Sequence, residues 1–192
     1  MPPRDASATR ARILDSAIAE FAARGLAGGR VDRIAREADT NVRMIYAYYG
    51  GKDGLFDAAL ASALGDLASA VPPRADDLPG WAGDLFDHHL ADPSALRLSL
   101  WAQLERPAAT AEPRASYLAK TATVDGASPL AAVDLLVIVY AIAQAWMLSP
   151  VGLLAADGSD PDDPARIAAH RRAAVAAVER IVAPARSPAT GG

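Results

Sequence analysis

Apolar residues recur along this chain at the three- and four-residue spacing of a helix, and no stretch keeps the strict alternation of a half-buried strand. Ile13, Ala17, Ile18 and Phe21, with Leu14 beside them, predict a first helix over 9–24. Gly25 stands where that helix stops, a position that favours a left-handed residue. Residues 1–8 carry no apolar period and read as a disordered arm. Arg4 and Arg10 in or beside it are either solvated or reach toward a nucleic-acid backbone. Two short helices follow, 30–37 around Ile34 and Ala35 and 41–48 around Ile45 and Tyr46. Ala38-Asp39-Thr40-Asn41 joins them, and Asn41 is a good N-cap for the second. A fourth helix over 52–70 carries the stripe Phe56, Leu60, Leu64, Leu67 and Val71, and Pro72-Pro73 ends it.

Past residue 77 proline acts as punctuation. Asp92-Pro93, Ser128-Pro129 and Asp163-Pro164 each set a capping side chain before a proline at the first helical position, and Pro79 can play the same part. The helices so delimited are 79–90, 93–105, 111–125, 129–149 and 164–183, and the fold class is all-α. The segment 130–148 is apolar enough and long enough to raise the question of a bilayer. Asp134 and Gln144 interrupt it, and the nearest cations are Lys120 and Arg166, which is wrong for a membrane span. It reads as a helix of a soluble protein covered on several sides, one by its own domain and another by a partner subunit. The last helix has the stripe Ile167, Ala174, Val178 and Ile181, with His170, Arg171, Arg172 and Glu179 as polar positions around it. Residues 185–192 read as a frayed tail.

Composition narrows the function more than the fold. The 192 residues suffice for one or two small domains with a real core, and the abundance of alanine suits closely packed helices. With no cysteine, disulfides and thiolate metal sites are excluded, and a reducing cytoplasm fits. The N-terminus has no apolar run after its charges, so no signal peptide is read. His88, His89 and His170 stand in no metal-ligand spacing, and no phosphate-loop, dinucleotide or nucleophile motif occurs, so neither metal nor cofactor is expected. Net charge is −4, an unpromising value for a DNA binder, but it is unevenly spread. Residues 1–60 hold nine Arg or Lys against eight Asp or Glu, the remainder ten against fifteen. A few well-placed cations, not a strong overall field, must then carry any nucleic-acid binding.

Two short helices with a tight turn form a helix-turn-helix, which presents its second helix to the DNA major groove. Asn41, Val42, Arg43, Met44 and Ala47 fall on or near its outer face. Arg43 is the candidate for base readout, because a guanidinium bonds both O6 and N7 of guanine. Val42 and Ala47 suit a thymine methyl. Arg30, at the start of the preceding helix, either meets a phosphate or is simply exposed. Lys52 opens the fourth helix, where its ammonium and the helix N-terminus both favour a phosphate.

At Arg12-Ile13-Leu14, Ala17, Phe21, Gly25, Val31, Ile34-Ala35, Ala38, Ile45-Tyr46, Tyr48-Tyr49, Lys52 and Leu55-Phe56 the chain resembles the TetR family of bacterial transcriptional regulators. The resemblance implies a three-helix helix-turn-helix DNA-binding domain at 1–55 and a helical ligand-binding and dimerisation domain at 56–192. It implies a homodimer that binds double-stranded DNA at a palindromic operator and answers to a small-molecule effector, with the last two long helices pairing across a two-fold axis. It puts Tyr46 and Tyr48 near backbone phosphates and Tyr49 in the core. It also puts a pocket in the second domain, for which Trp81, Phe86, His89, Trp101, Tyr117, Tyr140, Gln144 and Trp146 are the wide or polar candidates. Each of them is equally at home in a packed core.

Gly29 and Arg30 stand where Thr or Ser usually caps a helix, and Asp39 stands where Gly is usual. Thr40, Val42 and Met44 are atypical as well, and suggest a particular operator, not lost binding. Gly29, Asp39 and the weak charge of residues 1–60 leave an alternative open, a small-molecule-binding module with a drifted, non-functional DNA-binding unit. A helical enzyme has only the aromatics and the His88-His89 pair in its favour.

Overall fold

The computed structural model describes residues 3–106 and 114–183; residues 1–2, 107–113 and the tail 184–192 lie outside it. Ten helices and no strand occur among the described residues: α1 (Pro3–Gly28), α2 (Val31–Glu37), α3 (Val42–Tyr49), α4 (Lys52–Ala70), α5 (Leu78–Ala91), α6 (Ser94–Glu105), α7 (Arg114–Val124), α8 (Ala132–Leu148), α9 (Val151–Leu154) and α10 (Pro164–Val182). The all-α reading and most boundaries hold. The disordered arm does not, because α1 is already helical from Pro3. Once the turns over the core are fixed, each further residue adds a hydrogen bond at no new nucleation cost, and alanine-rich sequence lets the helix grow outward. The short α9 leaves no mark in the apolar pattern, since four residues are too few to show a period.

Two compact units divide the chain. The first comprises residues 1–70 and 92–114. In it α1 packs on α2, α4 and α6, and α3 packs on α2 and α4. Ile13, Phe21, Ile34, Ile45, Leu55, Phe56 and Leu98 are fully buried there, with Phe21 edge-on to Phe56 at 5.2 Å. Gly25 does more than stop α1. It kinks the helix with φ 69° and ψ −179°, a backbone region open essentially to glycine alone. A Cβ there would lie 2.8 Å from the Trp101 ring and 2.6 Å from a Glu105 carboxylate oxygen. Through this gap α6 grips α1: Trp101 Nε1 donates to the Ala22 carbonyl at 3.4 Å, and Glu105 Oε2 accepts from Ala27 N at 3.0 Å. Arg106 closes the same side by pairing with Asp57 of α4.

The turn between α2 and α3 is a Schellman closure. Thr40 N donates to the Ala35 carbonyl at 2.9 Å and Asp39 N to the Arg36 carbonyl at 3.2 Å. The closure demands a left-handed residue, and Asp39 supplies it with φ 49°, the one positive φ outside glycine among the described residues. Asn41 then caps α3, its Oδ1 accepting from Met44 N at 3.0 Å.

The second unit comprises residues 71–91 and 115–192. Here α5 packs on α8 and α10, and α8 on α10. Gly83 permits the close approach of α10, since a Cβ there would come within 2.9 Å of the Arg171 guanidinium. Arg171 in turn meets Asp87 at 2.8 Å, while Arg74 meets Asp84 at 2.7 Å, so charge pairs tie the segment before α5 and the face of α10 to α5. The proline signals hold unevenly. Asp163 caps α10 as expected, accepting from Ala165 N at 3.0 Å. Asp92 accepts from Ser94 N at 2.9 Å, but α6 starts one residue after Pro93. Pro129 does not open α8: Ser128 Oγ accepts from Leu130 N at 3.3 Å in a separate turn, and the helix starts three residues beyond Pro129. Among the described residues no helix is long and apolar enough to cross a membrane. Helix α8 buries Leu135, Leu136, Val139 and Ala143, yet Val133 and Val137 are 61% and 62% exposed, so one face has no cover among the described residues.

Replacing Asp39 by glycine removes the left-handed penalty of an L side chain, on the order of 1 kcal/mol. Asp39→Gly is therefore expected to raise the urea midpoint without changing the slope of the transition, and an unchanged or lower midpoint would contradict the turn described.

Candidate nucleic-acid interface

Helix α2 starts at Arg30 with no side-chain cap of its own, as Gly29 and Arg30 foreshadow. What α1 supplies instead is a partner for the amide of Arg30 itself. Glu20 is buried, and its Oε1 accepts from Arg30 N at 3.0 Å while its Oε2 meets Arg33 at 3.2 Å and Arg24 at 3.5 Å. This is the reach of a capping-box glutamate to the N-cap amide, made from a neighbouring helix. Gly29 is fitted to it, because a Cβ there would sit 2.5 Å from the Phe21 ring. Nothing in the sequence around Glu20 marks this role, since a lone carboxylate in a helix usually faces water.

Helix α3 buries Ile45 and turns its other side outward. Val42, Arg43, Tyr46 and Ala47 are exposed, Tyr46 by 54%, and Asn41 at the cap is exposed too. Met44 and Tyr48 are half-buried. Tyr49 departs from its expected place in the core: it is half-buried, and its hydroxyl finds an outlet by donating to the Arg10 carbonyl at 3.3 Å. Burial raises the Tyr49 phenol above its ordinary range, with the Arg10 guanidinium opposing, so the hydroxyl keeps its proton. Lys52 opens α4 as expected, but its ammonium is engaged, donating to the Ala27 carbonyl at 3.1 Å.

The distribution of partners sorts the cations of this unit. Arg24, Arg33 and Arg36 stand against carboxylates. Among the described residues Arg10, Arg12, Arg30 and Arg43 enter no ion pair, and Lys52 is bonded only to a neutral carbonyl. Asp15, Asp32, Asp39 and Asp53 likewise enter no ion pair among the described residues, so the pairing leaves the small net charge of this stretch as it was and decides only which cations are uncommitted.

In the second unit the pocket candidates gather in three groups. The Trp81 and Tyr140 rings meet edge-on at 5.7 Å, with Trp81 Nε1 donating to the Val71 carbonyl. His89 and Gln144 lie side by side, Nε2 to Nε2 at 3.4 Å. Trp146 and Phe86 flank His170 at 4.7 and 5.7 Å between centroids. His170 is thus not the peripheral polar residue expected; its Nε2 is buried with no hydrogen-bond partner among the described residues, and desolvation first, then the Arg166 charge, lowers its pKa. Tyr117 is 39% exposed, with the Lys120 ammonium 5.2 Å above its ring. Trp101 is the exception: it belongs to the first unit, bonded to Ala22 of α1 beside Gly25. Aromatic composition alone cannot tell which core a tryptophan joins. Among the described residues no cluster of His, Asp or Glu is arranged to hold a metal ion.

Comparison with known proteins gives a consistent result. Residues 13–59 match the family described as bacterial regulatory proteins, tetR family, and residues 77–180 match the tetracyclin repressor-like C-terminal domain. The HTH-type transcriptional repressor SCO4008 of Streptomyces coelicolor is 43% identical over 161 residues, covering 78% of this chain and 84% of that protein. The crystal structure of SCO4942, a regulator from the same organism, superimposes with a TM-score of 0.75 at 35% identity, over 90% of this chain and 97% of that one. The multidrug binding protein EbrR shares the fold, with a TM-score of 0.63 at 22% identity over 97% and 94% of the two chains.

Two outcomes are expected from these sites. Glu20→Ala leaves the Arg30 amide unsatisfied and should cost ~1–3 kcal/mol in urea denaturation. Glu20→Gln keeps an acceptor and should lose clearly less; equal losses would remove the capping role. His170 titrates below its unfolded value of 6.5, so the folded state favours the neutral ring. The stability tied to it is fully present above that value and falls as pH drops through the folded pKa. Melting temperatures should therefore decline on acidification below about pH 6.5, and in His170→Leu that share of the decline should vanish.

Proposed function

Because the chain belongs to the TetR family of transcriptional regulators, which bind DNA and are not enzymes, we propose that it is a repressor that binds a palindromic operator as a homodimer and is released by a small molecule. The observation that carries this reading is the exposed Arg43 on α3, free of any ion pair among the described residues, on a helix whose start is capped by Asn41. Residues 1–55 would read the operator, and residues 56–192 would hold the effector and the partner subunit. Arg30, Tyr46, Tyr48 and Lys52 would meet backbone phosphates, with Lys52 exchanging or sharing its Ala27 carbonyl. Base edges would be met by Arg43, and by Val42 and Ala47 through thymine methyls.

The dimer is favoured by the open face of α8, where Val133, Val137 and Leu148 are exposed, and by the exposed alanines Ala165, Ala169 and Ala173 of α10. Small side chains let a partner helix approach closely, and the exposed valines gain from being covered. An effector in the second unit would meet aromatic walls and the His89–Gln144 pair, the mix of apolar surface and few polar groups that suits a small-molecule site. It must bind the arrangement that cannot hold DNA more tightly than the one that can. The protein would act in the cytoplasm. Against the drifted-module alternative weigh the turn that Asp39 completes and the partner that Glu20 gives to the Arg30 amide.

Binding to the DNA just upstream of the coding region, with footprinting at two salt concentrations, tests the reading. An inverted repeat should be protected. Arg43→Ala should relax base preference at one position in each half-site, by ~1–3 kcal/mol. Lys52→Ala should weaken binding to all sequences and flatten the salt dependence by about one per half-site. No binding to that DNA, nor to any palindrome selected from random sequence, would refute the regulator.

A further inference from the structure

Arg10 lies on α1, far in sequence from the reading helix, yet the fold places it against the last turn of α3. Its guanidinium stacks over the Tyr48 ring, 4.6 Å from the centroid. Its carbonyl accepts the Tyr49 hydroxyl at 3.3 Å. The side chain is exposed and, among the described residues, enters no ion pair. Arg10 is thus pinned by its backbone and rested on an aromatic face, while its N–H donors have no hydrogen-bond acceptor among the described residues.

From this we infer that Arg10 is a phosphate contact of the DNA half-site, with Tyr48 as the platform that orients it, an inference that rests on the DNA-reading role proposed above. Three features point the same way. A cation held over a ring costs little ordering entropy when it meets an anion, because its torsions are already restricted. The planar guanidinium matches two phosphate oxygens at once, which an ammonium cannot do. Finally, the unit has few uncommitted cations among the described residues, and Arg10 is held against α3 by both its ring contact and its backbone. The contact is to the backbone, so it adds affinity without reading sequence. Tyr48 thereby has a role for its ring distinct from any role for its hydroxyl.

The test uses the full chain, a duplex operator chosen by selection from random DNA, and a duplex lacking it. Arg10→Ala keeps the Tyr49 bond, which uses only the Arg10 backbone, so the fold should survive with an unchanged melting temperature. It should weaken binding to both duplexes about fivefold per half-site near 0.15 M salt, and flatten the log–log salt slope by about 0.9 per half-site. Arg10→Lys should restore the slope but not the full affinity. The platform is read from a double-mutant cycle: Arg10→Ala should cost as much in a Tyr48→Phe background as in the wild type, and markedly less in Tyr48→Leu. An unchanged salt slope in Arg10→Ala overturns the phosphate contact and leaves the regulator reading intact. An equal cost in all three backgrounds overturns the platform. A wild type that binds neither duplex overturns the regulator reading and this inference together.

Discussion

A missing side chain at Gly25 is the constraint on which the first unit depends. The kink at this residue opens the end of α1 to α6, and the Trp101 ring and the Glu105 carboxylate occupy the space a methyl group would take. Their bonds reach backbone, to the Ala22 carbonyl and the Ala27 amide, so they fix the course of the chain itself. Lys52 holds the carbonyl of the same Ala27. One short stretch of chain is therefore gripped from α6 on one side and from the first residue of α4 on the other. Helix α3 rests on α4 and α2, so its position relative to α1 follows from that grip.

The second organising element is a buried charge. Glu20 is taken out of water and repaid by an amide and two guanidinium groups. Desolvating a carboxylate is costly, and only such a set of partners makes it tolerable. The same arrangement commits Arg24 and Arg33 to the protein. Among the cations of this unit it leaves Arg10 free of ion pairs and set against α3 by the Tyr48 ring. A chain whose overall charge is negative can in this way still present positive charge where it is needed, because a potential at close range is set by the nearest charges and not by the sum.

Much of this was legible in the sequence, and the reasons are local. Apolar periodicity marks nearly every helix, because a helix on a core cannot hide its spacing. Asn41 and Asp163 announce their helices since a cap needs a particular side chain at a particular place, and Gly25 and Asp39 betray unusual backbone for the same reason. The N-terminal extension of α1 escaped notice because exposed helix has no apolar period. Pro129 misled because a proline after a capping residue also suits a plain turn. Glu20, Trp101 and His170 were out of reach for a different reason. Their roles depend on partners brought together by the fold, in Trp101's case from 79 residues away. Val42, Arg43 and Ala47 are exposed as helical spacing around Ile45 implies and Met44 is half-buried, while Tyr49 and Lys52 have partners on α1 of which their spacing gives no hint.

The first unit is not one continuous stretch of chain: residues 92–114 return to it after residues 71–91 have gone elsewhere. This has a consequence for synthesis. A ribosome releases α1 to α4 first, with the Gly25 gap still empty and the Ala27 amide unclaimed. The bond that claims it joins residues 78 positions apart, so it must wait until α6 has cleared the exit tunnel. Until then the surfaces of α1 and α4 on which α6 packs stay uncovered. The unit that carries α3 is thus completed late, although its first residues are made first.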